Sequence, residues 1–155
     1  MNRIESFSVN HLVLEPGLYV SRKDHKGDVT VTTFDMRFTT PNKEPVMDTP
    51  ALHTIEHLCA TFLRNSESKD DVVYFGPMGC RTGCYIVMFG DLKSEDIYDL
   101  VVEMCDFALN FEGEIPGAKA IECGNFQEQN LDMAKYYIAK YKKALTENKN
   151  FIYKD

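Results

Sequence analysis

From Asp28 to Phe38 the chain reads "DVTVTTFDMRF", with Phe34, Met36 and Phe38 on one face and Thr33, Asp35 and Arg37 on the other. That period of two predicts a half-buried strand. The segment "TTPNKEPVMD" breaks the pattern as a loop, after which the period lengthens. Ile55, Leu58, Cys59, Phe62 and Leu63 recur at helical spacing, which predicts a helix opened by Asp48 or Thr49, with Pro50 in its first turn. His53, Glu56 and His57 fall on the face opposite that apolar stripe. "DVVYF" and "CYIVMFG" read as two further strands joined by "GPMGCRTG", whose three glycines permit backbone geometries that a Cβ would forbid. A second helix follows, with Ser94 as its N-cap and Ile97, Leu100, Val101, Met104 and Ala108 as its stripe. "IPGAKAIECGNF" interrupts, and Asn125 with Glu128 forms a capping pair for a last helix through about Thr146. Neighbouring strands on short loops, with few and long helices, predict an α+β fold: an antiparallel sheet packed against helices in a single domain spanning residues 1–155.

Composition narrows the function classes. The chain has 155 residues, 44% hydrophobic and 26% charged, the balance of a folded soluble domain. A net charge of −7, with no basic run beyond "KYKKAL", argues against nucleic acid and anionic membrane surfaces as partners. No signal-type apolar run and no spanning-length segment occurs, so the reading is a cytoplasmic protein. In that compartment the five cysteines are thiols, and an odd number cannot all pair within the chain.

The stretch "HTIEH" sets two imidazoles one helical turn apart, close enough to reach one metal ion, with Glu56 on the same side as a candidate base. The same spacing also suits a solvated helix face, and alone it leaves both readings open. Cys123, in the glycine-containing "IECGN" between helices, is a candidate third ligand or a small hydrophobe under a loop. Cys80 in "MGCRTG" has an arginine neighbour and loop amides, surroundings that favour a thiolate. Cys84 opens a strand four residues later, and the C-x-x-x-C spacing matches neither common redox nor zinc motifs. Cys59 and Cys105 lie at or beside apolar stripes and read as packing. Ser6, His11 and Arg37 are candidates for holding a polyhydroxylated or carboxylate-bearing ligand, whereas His25 in "RKDHKGD" reads as solvated.

Taken in order, "ESF" with His11, "FDMRF" followed by "PNK", "HTIEH", "PMGCRTG" and the Cys-Gly at 123–124 resemble the S-ribosylhomocysteine lyase family over nearly the whole chain. The resemblance implies an α+β sandwich and a metal-dependent homodimer with active sites at the interface. It further implies release of homocysteine and the autoinducer-2 precursor from S-ribosylhomocysteine. By position it makes His53, His57 and Cys123 the metal ligands, Glu56 and Cys80 the acid/base residues, and Ser6, His11 and Arg37 the substrate-binding residues. One divalent metal per subunit is implied, Fe(II) with zinc or cobalt as substitutes. Two departures stand out: "VVYFG" replaces the family's commoner segment before "PMGC", and Cys84 occupies a position where relatives usually carry an aromatic residue.

Two other readings fit parts of the pattern. H-x-x-E-H also marks zinc metallopeptidases, for which Glu122 or Glu128 would supply a third ligand. A non-catalytic metal- or ligand-binding module with redox-sensing cysteines is the other.

Overall fold

The alternation around Phe34 is realised as the second strand of a four-stranded antiparallel sheet in a computed structural model that describes residues 1–155. A short 3₁₀ turn at Glu5–Phe7 precedes β1 (Gly17–Lys26) and β2 (Val29–Arg37). The chain continues through α1 (Thr49–Asn65), β3 (Val72–Pro77), β4 (Gly83–Phe89), α2 (Ser94–Asn110) and α3 (Leu131–Asn148). The strand order is β1-β2-β4-β3, every neighbouring pair antiparallel, so β2 and β4 form the centre. Leu18, Phe34, Met36, Ile86 and Phe75 pack against Ile55, Leu58, Val101, Met104, Ile138 and Tyr141 in one continuous core between sheet and helices. Tyr141 stacks on Phe38 with ring centroids 4.3 Å apart and donates its hydroxyl to the Gly17 carbonyl at 3.1 Å, tying α3 to the start of β1.

The expected α+β architecture is present, with four differences in detail. β1 has no counterpart among the strands read from the sequence. Its outer half, "RKDHK", is polar and mostly exposed, and it is held by pairing with β2 across the Gly27 turn rather than by burial. β2 is not half-buried at its far end: Asp35 and Arg37 are only 2% and 3% exposed, on the face opposite Phe34 and Met36. Asp35 accepts from Arg37 Nε at 3.1 Å and Nη2 at 2.6 Å, and this forked pairing offsets the desolvation of both charges.

The helix starts also shift. Asp48 caps α1 by accepting from the Ala51 amide at 3.0 Å, as the sequence suggests. Ser94, however, lies inside α2; Lys93 precedes the helix, and its amide donates to Asp96 at 2.7 Å. For α3 the cap is Asn130, which accepts from the Met133 amide at 3.0 Å. Asn125 and Glu128 do bond to one another, at 2.5 Å, but in the loop before the helix. That loop is occupied in holding the site.

Candidate functional site

Helix α1 carries His53, Glu56 and His57 on the side turned away from Ile55, Leu58 and Cys59, and the long loop between α2 and α3 folds over that side. The face is therefore half-buried, and not solvated. His53 Nδ1 meets the Glu128 carbonyl at 2.8 Å, and His57 Nδ1 meets the Pro116 carbonyl at 2.6 Å. A carbonyl can only accept, so both Nδ1 atoms carry hydrogen and both Nε2 atoms present lone pairs. The Gln129 side-chain nitrogen also lies 3.2 Å from His53 Nδ1, but the shorter carbonyl contact is the one that can accept its hydrogen.

Those two Nε2 atoms face each other at 3.0 Å, and Cys123 Sγ lies 3.5 Å from His53 Nε2; the three ligand atoms are all within 4.8 Å of one another. Two lone pairs and a sulfur at such separations are mutually unfavourable unless a cation sits among them. Tetrahedral coordination at ordinary metal–nitrogen and metal–sulfur lengths places two nitrogens about 3.4 Å apart and a nitrogen and a sulfur about 3.6 Å apart. The donor set thus fits a divalent ion, with a fourth position for water or substrate. The Asn125 amide points at Cys123 Sγ from 3.4 Å and fixes the sulfur beside the histidines.

The loop approaches this closely because of Gly117. Its φ of +73° lies in the left-handed region, and a Cβ there would stand 3.0 Å from His57 Nδ1. Pro116, Gly117 and the Glu128 backbone are site residues that sequence reasoning missed, since a carbonyl leaves no mark on residue identity. Glu128 uses its carboxylate on Thr49 at 2.7 Å and Asn125, and Glu122 is exposed. The peptidase reading thereby loses its third ligand, and Cys123 is the donor that stands beside the two histidines.

Cys80 lies in a second constellation. A cavity of about 270 Å³ brings together Ser6, His11, Arg37 and Cys80, with Asp35 and Tyr153 in its wall. The proposed ligand-holding residues Ser6, His11 and Arg37 are thus gathered in one chain beside Cys80. His11 is oriented by a 2.8 Å contact between Nδ1 and the Val9 carbonyl. The β-bulge between Val20 and Arg22 leaves Ser21 unpaired, and Ser21 joins the same wall. His53 and Glu56 line a neighbouring cavity of about 360 Å³, and Met78 and Gly79 border both.

Electrostatics separate the thiols. Burial pushes the Cys80 thiol up, but hydrogen bonds from the Thr82 hydroxyl and amide, together with the Arg37 charge, outweigh it and hold the thiol below its ordinary value. Cys84 is fully buried and pushed strongly up, chiefly by desolvation; Cys59 is likewise raised, and Cys105 is pushed up to about 12. Of these four, Cys80 is the thiol equipped to ionise. The loop carrying it does not use its glycines as expected: the left-handed residue is Arg81, at φ +60°. Gly83 is required instead for close approach, since a Cβ there would lie 2.3 Å from the Met36 carbonyl oxygen. His25 is exposed, as read, 3.0 Å from the Thr30 hydroxyl. No helix is long and apolar enough to cross a membrane.

The family model described as S-Ribosylhomocysteinase (LuxS) matches residues 4–152. The S-ribosylhomocysteine lyase of Finegoldia magna is 57% identical over 155 residues, covering 99% of each chain. That of Clostridium acetobutylicum is 57% identical over 149 residues, covering 96% of this chain and 94% of the relative. A Borreliella burgdorferi relative of the same name is 51% identical over 150 residues, 96% of each chain.

Proposed function

The chain belongs to the S-ribosylhomocysteinase (LuxS) family, and from that premise we propose how its residues divide the work of an S-ribosylhomocysteine lyase. The activity is that of a carbon–sulfur lyase acting on S-ribosylhomocysteine. His53, His57 and Cys123 hold one divalent ion per subunit, Fe(II) by preference, with zinc or cobalt as substitutes. The observation carrying this reading is the commitment of both imidazole Nδ1 atoms to carbonyls, which turns two Nε2 lone pairs toward one point beside the Cys123 sulfur. A divalent ion held by these three residues would supply Lewis acidity toward the sugar's carbonyl and hydroxyl oxygens.

The thioether sits on a carbon whose bond to sulfur breaks readily only when a carbonyl lies two carbons away. The carbonyl must therefore migrate along the ribose twice before elimination. Cys80, held toward its thiolate, moves the proton between the first pair of carbons. Glu56, beside the histidines, takes and returns the later protons and removes the one whose loss expels homocysteine. General acid/base groups of this kind contribute roughly 10² to 10⁴-fold each. Ser6, His11 and Arg37 bind the substrate's polar groups.

Within one chain the Cys80 cavity and the histidine cavity open on either side of Met78 and Gly79. We assign the working site to a homodimer in which one subunit's Ser6, His11 and Arg37 complete the partner's metal site. The test is anaerobic purification, metal analysis and a homocysteine assay, followed by mixing His57→Ala with Arg37→Ala subunits. Each parent is expected to be inactive and the re-formed mixture to recover up to about a quarter of wild-type activity through its intact hybrid sites. A mixture as dead as its parents removes the shared-site arrangement.

A further inference from the structure

We propose that Thr82 is the positioning residue that holds Cys80 as a thiolate, by passing the Arg37 charge through its hydroxyl to the sulfur. This deepens the proposed role of Cys80 and rests on that reading. The geometry leaves one assignment of hydrogens. Arg37 Nη1 lies 2.6 Å from Thr82 Oγ1, and a guanidinium can only donate, so the threonine oxygen accepts there. The threonine hydrogen is then free for its other neighbour, Cys80 Sγ at 3.2 Å. A donor whose oxygen is already bonded to a cation is polarised, and it favours a charged acceptor over a neutral thiol. Arg37 itself stands 3.9 Å from the sulfur, too far for a strong direct bond, so the hydroxyl is the closer contact.

Both ends of this relay are fixed. Thr82 is 5% exposed, and its carbonyl accepts from the Phe38 and Thr39 amides at 2.9 and 3.1 Å. Arg37 is gripped by Asp35, which also accepts from the Tyr153 hydroxyl at 2.9 Å. Arg81, in the left-handed conformation between Cys80 and Thr82, turns the chain so that the two side chains meet. The titratable groups facing the thiol are Arg37 and Asp35 from β2, Tyr85 from β4, Tyr153 from the C-terminal segment and His11 from the N-terminal one. Of these Arg37 carries the permanent positive charge, and Thr82 is its route to the sulfur.

The test is the pH profile of iodoacetamide alkylation at Cys80, read by peptide mass spectrometry on the metal-loaded protein, alongside homocysteine release. Thr82→Val keeps the shape and removes the hydroxyl; its profile is expected to move to higher pH, with alkylation slowed about tenfold on the acid side. Thr82→Ser restores the hydroxyl and is expected to return the wild-type profile. Thr82→Ala serves as the second deletion should the valine variant fail to fold. An unmoved profile in the hydroxyl-free variant overturns the proposal, and so does a profile displaced equally in Thr82→Ser. If the profile moves but homocysteine release is unaltered, the Thr82 relay stands and the role of Cys80 in catalysis falls.

Discussion

His53 and His57 point their Nε2 atoms at one another across 3.0 Å, while each gives its Nδ1 hydrogen to a carbonyl of the loop between α2 and α3. The loop therefore selects the tautomer in which both Nε2 atoms are free to bind a metal ion. Helical spacing put the rings on one face; the backbone of a distant segment made them a site.

That dependence makes Gly117 a test of the metal centre that touches no ligand. Gly117→Ala forces a side chain into the left-handed region and sets a methyl against His57 Nδ1. Metal affinity, measured by competition with a chromophoric chelator, is expected to drop about 10 to 100-fold. Wild-type affinity in this variant contradicts the carbonyl anchoring.

Cys80 and Cys84 separate by chemistry despite lying four residues apart. Cys80→Ala is expected to lower homocysteine release by about 10² to 10⁴-fold, followed with a thiol reagent. Cys84→Ala, whose thiol is fully buried in the core, is expected to keep most activity and lose about 1 kcal/mol of stability. The reverse pattern exchanges the two roles.

Folding stability should also report the Cys80 thiolate. Its thiol is lower in the folded protein than the ordinary 9.0, because the Thr82 bonds and the Arg37 charge outweigh burial. A group lowered on folding contributes in full above its unfolded value and loses that contribution as pH falls through its folded one. The stability difference between wild type and Cys80→Ser is thus expected to grow as pH rises toward the ordinary 9.0 and to level off above it. Thermal melts across that range provide the check, and a flat or shrinking difference goes against it.

The Asp35–Arg37 pair is buried on both sides, so removing one charge strands the other. Asp35→Asn is expected to cost about 3 to 5 kcal/mol and lower the melting temperature by roughly 10 °C. A change below about 1 kcal/mol in denaturant unfolding would mean that water reaches Arg37.

What could be read in advance follows the range of each interaction. Apolar period marked β2, β3, β4 and the three helices, because repeated burial on one face is written locally. β1 escaped since half of it is polar and is ordered by its partner strand, and the caps of α2 and α3 shifted by competition with neighbouring contacts. Arg37 was recognisable as a candidate but not as a buried charge, because Thr82 and the Tyr153 partner of Asp35 reach the pair from distant segments. The sequence by itself determined the candidates, His53, His57, Cys123, Cys80 and Glu56, since those identities are chemical facts of the chain. Only the tertiary structure decided which nitrogen of each histidine is free and which thiol ionises. Both depend on backbone carbonyls, amides and solvent exclusion, to which residue identity is nearly blind.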